Sequence, residues 1–228
     1  ESDEVVNVER GTVQAAKLFA TQAEIGASNS LADQMTNQYD ATSTALGLKG
    51  EPIIMPSADN PPPAILVWNG KYVLDGHHRW SQIMMTNPEA TVAIDSLSGP
   101  ALNNAEDALK ITQLAIAIAA KNVVTKPFEG ANLMTMGTDE VMKYVAENIS
   151  DEVLQMLVKA GKLESPDKAA AAQYYGRNHK IIQKRRGKFE REKGMPQAGK
   201  SGASQDAVNK ALATGAVNFR DPKKSDVK

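Results

Sequence analysis

The clearest pattern of apolar residues lies in the middle of the chain. Two β-rich runs, at 64–68 and 71–74, flank the pair Asn69-Gly70. Both residues of a tight hairpin turn need positive φ, and asparagine and glycine adopt it most readily. This pair between two such runs therefore predicts a β-hairpin.

A helix is predicted directly after the hairpin. Apolar residues recur at helical spacing from Trp80 onwards until Asn87-Pro88 ends the run. Apolar residues at 91–94 predict a closing strand, and those at 52–55 predict an opening strand. The prolines at 61–63 predict a stiff, extended connection into the hairpin.

The segments on both sides of this unit predict helices. The Ala-rich stretch at 4–46 predicts a helical arm, with Ser30 as the N-cap of its second helix. We therefore expect an α+β fold, in which a small mixed-sheet unit is flanked by helical N-terminal and C-terminal extensions. The predicted divisions are a helical arm at 1–47, an α/β core at 48–98, a helical subdomain at 99–163, a basic helix at 164–194 and a flexible tail at 195–228.

Residue types that favour helix N-termini predict the helices of the C-terminal half. A buried helix is predicted at 105–120, and Thr138 and Ser150 are N-cap residues by type for two more. Ser165-Pro166 places a proline in the first turn of a helix that is predicted to run to Gly194. The remaining residues are rich in Gly, Ser, Ala and Lys, which predicts disorder for the chain alone. A larger assembly that orders this tail is a predicted partner.

Charge is divided unevenly between the two parts of the chain. Residues 1–163 carry 11 Lys and Arg against 20 Asp and Glu, a net −9, whereas residues 164–228 carry 15 against 7, a net +8. A basic region on an acidic body favours DNA or an acidic protein surface as partner, or a basic helix docked on its own acidic body. The candidate nucleic-acid contacts are Lys180, Lys184, Arg185, Arg186, Lys188 and Arg191.

Composition excludes several classes of site. The chain has no cysteine, which rules out disulfides and thiolate metal sites. No apolar run approaches the length of a membrane-spanning helix, so no membrane partner is expected.

The segment 194–201 has the spacing of a phosphate-binding P-loop. A charged helix is predicted in front of it instead of a buried strand, so we interpret it as a linker.

Polar residues concentrate where the hairpin meets the following helix. The run is Asp75-Gly-His-His-Arg79. Gly76 permits a sharp turn, and the N–H groups of a helix N-terminus attract an anion. Arg79 can add a bidentate contact to a phosphate. The sequence therefore predicts a phosphate-binding corner. His77 and His78 are poor candidates for metal ligands, because successive residues do not easily reach one ion.

This run resembles the "DGHHR" signature of the ParB/sulfiredoxin-like superfamily. The resemblance covers residues 51–97 and includes the order strand, Asn-Gly turn, strand, motif and helix. It implies binding of a nucleotide or phosphate ester through Gly76, His77, His78 and Arg79, with a nucleoside triphosphate and Mg²⁺ as possible ligands. The superfamily includes CTP-binding partition proteins, sulfiredoxins, free-serine kinases and proteins described as nucleases.

The sequence departs from the family pattern in three ways, and each restricts the activities that the resemblance implies. Sulfiredoxins need a cysteine where His77 stands, so reduction of a sulfinic acid is not expected. The serine kinases need an additional upstream acid, and Glu51 and Asp59 are the nearby acids, neither of which aligns securely. Partition proteins continue into a helix-turn-helix module, for which the downstream sequence shows no convincing pattern.

Two functions follow from these features. The first is a ParB-like phosphate- or nucleotide-binding protein, encoded by a phage and associated with the virion or with DNA. Its location would be the host cytoplasm or the virion, and the phage origin rests on the family resemblance alone. The alternative is a nucleotide-dependent enzyme, an NTP hydrolase, kinase or nuclease, with Asp75, His77 and His78 as catalytic candidates.

Overall fold

A mixed five-stranded sheet, packed against helices, forms the centre of the protein. The computed structural model describes residues 6–37, 41–48, 64–99, 102–105, 107–109, 112 and 130–188. The strands are β1 (Asn7–Gln14), β2 (Phe19–Ala20), β3 (Ile65–Trp68), β4 (Tyr72–Asp75) and β5 (Thr91–Ser98). The helices are α1 (Ala27–Met35), α2 (Ala41–Ala45), α3 (His77–Thr86), α4 (Thr138–Asn148), α5 (Asp151–Lys159) and α6 (Lys168–Gln183).

The sheet order is β1-β5-β3-β4-β2. The pairs β1–β5 and β3–β4 are antiparallel, whereas β5–β3 and β4–β2 are parallel. The predicted hairpin is confirmed: Asn69 has φ 49° and Gly70 has φ 64°, the positive values that a tight turn between twisted strands requires. The helix after the hairpin is confirmed as well, and Asn87 is its C-cap residue.

The predicted helical N-terminal arm is wrong over its first part. Residues 7–14 form an edge strand that pairs with the whole of β5, from Asn7 opposite Ser98 to Gln14 opposite Thr91. The Ala-rich residues that suggested a helix form only a short 3₁₀ turn, Ala15–Lys17. Long-range pairing with β5 outweighs the local propensity, because β1 satisfies its backbone hydrogen bonds in the sheet. The sheet therefore extends beyond the predicted core at 48–98.

Two residues that were predicted as N-caps do not cap their helices. α1 begins at Ala27, so Ser30 is not its N-cap; the Ser30 hydroxyl donates to the Gly26 carbonyl oxygen at 2.9 Å. Gly137, not Thr138, is the N-cap of α4. The Thr138 hydroxyl instead contacts the ring of His179. Both hydroxyls form contacts inside the fold that compete with capping.

The predicted N-cap of α5 is confirmed, whereas α6 begins later than predicted. The Ser150 hydroxyl accepts a hydrogen bond from the Val153 N–H, as predicted. α6 begins two residues after Pro166, with the Asp167 carboxylate accepting from the Ala170 N–H at 2.6 Å. A carboxylate caps a helix N-terminus at least as well as a hydroxyl and complements its dipole.

Helix α3 lies on one face of the sheet and forms the centre of the core. Trp80 is fully buried, and its indole N–H donates to the Ala15 carbonyl oxygen at 3.1 Å. The sheet residues in the same apolar cluster alternate along their strands, as a half-buried sheet requires. They are Ile65, Val67, Val73, Val92 and Ile94. A second cluster on the other face combines Leu66, Trp68, Leu74 and Leu97 with Leu102, Ala108 and Leu109.

The predicted basic helix is part of this core. It ends at Gln183, well before Gly194, and its residues Tyr174 and Tyr175 are buried. The Tyr174 hydroxyl donates to the Thr86 carbonyl oxygen at 2.6 Å, and the Asn178 amide donates to the Met85 carbonyl oxygen at 2.7 Å. These bonds satisfy carbonyls at the C-terminus of α3 that have no partner within the helix. α6 therefore packs into the same core as α3.

His179 of α6 makes protein stability depend on pH. It is fully buried, its Nε2 donates to the Leu133 carbonyl oxygen at 2.8 Å, and its Nδ1 accepts from the Thr138 hydroxyl. Burial lowers the pKa of His179 below 6.5, although the bond to Leu133 opposes this shift. Unfolded histidine therefore takes up a proton at higher pH than the folded ring. The His179 contribution to stability is complete above pH 6.5 and is lost as the pH falls below it.

We expect the free energy of unfolding of His179→Gln to fall less than that of the wild type between neutral and mildly acidic pH. Urea unfolding of both proteins across this range measures the difference, and carboxylates common to both cancel. Equal declines in the two proteins would contradict the assignment.

Several predicted segments lie outside the described residues. They are the strand at 52–55, the prolines at 61–63, most of the helix at 105–120, Arg191, the segment 194–201 and the tail at 195–228. Among the helices of the described ranges, none is long and apolar enough to cross a membrane.

Candidate functional site

The predicted corner is formed where β4 passes into α3. β4 ends at Asp75, Gly76 is the N-cap residue and α3 begins at His77. Gly76 has φ 89° and ψ 22°, in the left-handed region that a residue with a Cβ rarely adopts. Glycine is therefore required for the chain to leave the sheet and enter the helix within one residue. The turn directs the first N–H groups of α3 out of its N-terminus.

The Arg79 guanidinium folds back over this turn. Its Nη2 lies 3.8 Å from Oδ2 of Asp75, and a Cβ built on Gly76 would lie 3.0 Å from the same Nη2. The Arg79 side chain is 21% exposed, whereas that of Asp75 is 57% exposed. Burial lowers the pKa of Arg79, and the charge of Asp75 partly opposes this. Arginine stays cationic at neutral pH, so the corner carries a partly desolvated positive charge.

The His77 ring contacts a neighbouring loop. It is buried, and its Nε2 accepts from the backbone N–H groups of Thr21 and Gln22 at 3.3 and 3.4 Å. The Thr21 hydroxyl lies 3.2 Å from the same nitrogen and donates to the Val73 carbonyl oxygen at 2.6 Å. An Nε2 that accepts these bonds leaves the proton on Nδ1, so the ring is neutral. The His77 ring therefore positions residues 21–22 against α3.

His78 lies beside the start of a second helix. A Cβ built on Gly26, the N-cap residue of α1, would lie 3.3 Å from Cε1 of His78. The two helices also meet through Ser30 and Ser81, whose hydroxyl oxygens are 2.8 Å apart. The N-termini of α1 and α3 therefore both lie close to His78, and the Ala27 N–H at the α1 end donates to the Ala131 carbonyl oxygen at 2.9 Å.

The structure thus brings Asp75, Gly76 and Arg79 together and separates the functions of the two histidines. The backbone of His77 belongs to the first turn of α3, while its ring belongs to the loop contact. No cluster of three His, Asp or Glu side chains suited to a metal ion occurs among the residues that the structure describes. A single exposed carboxylate, Asp75, is a sufficient contact only for a metal that arrives with a phosphate ligand.

The basic residues after α6 lie next to the loop that His77 holds. The Ala20 N–H donates to the Arg185 carbonyl oxygen at 3.0 Å, and the Gly187 N–H donates to the Gln22 carbonyl oxygen at 3.1 Å. Residues 184–188, hereafter the basic segment, therefore run along β2 at the edge of the sheet. Four of the predicted nucleic-acid contacts are exposed, namely Lys180, Lys184, Arg186 and Lys188, and Arg185 is half-buried.

Sequence reasoning missed the residues that connect these parts. Thr21 and Gln22 contact both the His77 ring and the basic segment, yet neither residue type carries a local signal for such a role.

A search against protein-family models, curated proteins and solved structures finds no match to the chain.

Proposed function

We propose that the protein is a ParB/sulfiredoxin-like nucleotide- or phosphate-binding protein whose site is the N-terminus of α3. One observation carries the proposal: a left-handed Gly76 turns the chain directly into α3, and the Arg79 guanidinium lies over that turn. A helix N-terminus with an adjacent cation combines backbone donors, a favourable dipole and a charge that complements phosphate.

Each motif residue has a separate role in this proposal. Gly76 gives the phosphate close access to the backbone, and the N–H groups of His77 and His78 donate to it. Arg79 supplies charge-assisted hydrogen bonds. The His77 ring positions the loop at 21–22. Asp75 lies at the rim, where it can contact a Mg²⁺ that arrives with a nucleoside triphosphate.

Calorimetric titration with ATP, CTP and ADP in the presence of Mg²⁺ tests the proposal. We expect micromolar binding of at least one of them, and a loss of about tenfold or more in affinity for Arg79→Ala, since charged hydrogen bonds contribute about 1.5–3 kcal/mol. Arg177→Ala is the matched control, because Arg177 is exposed and contacts Tyr174, whose hydroxyl binds the opposite end of α3. Absence of heat with all three nucleotides would refute the proposal.

An enzyme that acts on the bound nucleotide is the second candidate. The exposed Asp75 carboxylate, 3.8 Å from the Arg79 guanidinium, is the observation that favours it. A carboxylate beside a phosphate-binding cation can orient a nucleophile or hold Mg²⁺ in phosphoryl transfer. Release of phosphate by the wild type, measured in the titrated samples, separates an NTP hydrolase from a binding protein. Association with DNA or a virion remains a proposal supported by the exposed charges of the basic segment.

A further inference from the structure

Three aromatic residues form a continuous row across the sheet. Phe19 of β2 is paired with Tyr72 of β4, and Tyr72 is paired with Trp68 of β3. Directly paired residues project from the same face, so the three rings are neighbours. Their centroids are 6.1 Å apart for Phe19 and Tyr72, and 5.5 Å apart for Trp68 and Tyr72. We refer to these three residues as the aromatic ledge.

The ledge lies on the face of the sheet opposite α3. Val67 and Val73, the adjacent residues of β3 and β4, are fully buried in the cluster that contains Trp80. The ledge side chains are only partly buried. Trp68 also packs against the smaller apolar cluster, which fixes the inner end of the row. Phe19 and Tyr72 form its outer end, at the edge of the sheet.

Cations surround this outer end. The Lys71 ammonium lies 5.0 Å from the Phe19 centroid and 5.4 Å from the Tyr72 centroid, and the Arg185 guanidinium carbon lies 4.4 Å from the Phe19 centroid. The bonds of Arg185 and Gly187 to residues 20 and 22 hold the basic segment beside the ledge. Three further cations of the basic segment are exposed, namely Lys184, Arg186 and Lys188.

We infer that the ledge and the basic segment together form a binding site for single-stranded nucleic acid. Unstacked bases stack on the Tyr72 ring and on the Arg185 guanidinium that lies over Phe19, and the Lys71 ammonium contacts a phosphate. Stacking of this kind needs exposed base faces, which a single strand offers and a duplex hides. An acidic protein segment would use the cations but would gain nothing from the row of rings. The site uses none of the residues of the proposed phosphate corner, so it stands independently of that proposal.

Fluorescence anisotropy of the full chain with a labelled single-stranded oligothymidylate at low salt tests the inference. We expect Tyr72→Leu to weaken binding about five- to hundredfold, the range that corresponds to stacking of one base. Tyr72→Phe should keep the wild-type affinity, because it retains the ring. Tyr144→Leu is the matched control on α4 and should also keep it. Binding of nucleotides at the corner should be unchanged in Tyr72→Leu.

The salt dependence of binding tests the basic segment separately. The double variant Lys184→Ala/Arg186→Ala should reduce the slope of log affinity against log salt by about 1.4, the value for two phosphate contacts with a single strand. The inference is overturned if the oligonucleotide does not bind, if Tyr72→Leu binds as the wild type does, or if a duplex binds equally well. Equal competition by polyglutamate would assign the surface to an acidic protein instead.

Discussion

Trp80→Ala is expected to lower the free energy of unfolding by about 3–5 kcal/mol, the usual cost of truncating a buried tryptophan. Trp80 is fully buried among residues of α3, the sheet and the Ala15–Lys17 turn. Alanine would leave a large cavity there and remove the hydrogen bond to Ala15. Equilibrium urea unfolding measures this change.

Trp80→Phe separates the two contributions in this prediction. Phenylalanine fills most of the volume but cannot donate to the Ala15 carbonyl oxygen, which also accepts from the Leu18 N–H at 3.1 Å. The oxygen therefore keeps one partner, and we expect a cost of only about 1–2 kcal/mol. If Trp80→Ala lowers the free energy of unfolding no more than Trp80→Phe does, the surrounding residues relax into the space of the missing ring. That result would contradict the prediction of a large cavity.

Gly187→Ala is expected to detach the basic segment from the edge of the sheet. A Cβ at Gly187 would lie 2.0 Å from the Thr21 carbonyl oxygen and 2.6 Å from the Gln22 nitrogen. These are backbone atoms that cannot rotate away, so the segment itself must move. The hydrogen bonds from Ala20 and Gly187 and the contact of Arg185 with Phe19 would be lost. Two hydrogen bonds and one cation–π contact correspond to about 2–3 kcal/mol.

Hydrogen exchange provides the specific measurement for this variant. The Ala20 amide, which donates to Arg185, should exchange faster in Gly187→Ala, while amides of α3 should keep their protection. Gly11→Ala is the matched control: the nearest atom to a Cβ at Gly11 is Cγ1 of Ile94 at 4.0 Å, an ordinary contact. Unchanged exchange at Ala20 in Gly187→Ala would mean that the segment accommodates the methyl group in place.

The parts of the fold that sequence predicted correctly are those with local chemical signals. The Asn69-Gly70 turn needs positive φ at two adjacent residues, and few dipeptides provide it. Gly76 and Asn87 likewise mark the two ends of α3 by their own conformational properties. Such features depend on neighbours in the chain, so one sequence was sufficient to locate them.

The errors arose where distant residues decide the structure. β1 is a strand because β5 pairs with it about 80 residues later, which outweighs any local preference for helix. α6 is buried because Tyr174 and Asn178 bind the C-terminus of α3, which lies far from them in the chain. Neither contact leaves a periodic or compositional signal in the segment itself.

The candidate site shows the same division. The turn at Gly76 and the position of Arg79 at the start of α3 follow from local sequence. The inward orientation of the His77 ring does not, because it depends on donors from Thr21 and Gln22 more than 50 residues earlier. A motif of adjacent polar residues therefore predicts where a site lies better than it predicts which side chains face the ligand.

Backbone amide NMR during titration with pyrophosphate and Mg²⁺ tests the central claim most directly. If the N-terminus of α3 binds phosphate, the amides of His77, His78 and Arg79 should shift most, and these shifts should saturate. Arg79→Ala should require much higher pyrophosphate concentrations for the same effect. Largest shifts in the basic segment, with none at the start of α3, would contradict the assignment of the phosphate site to this corner.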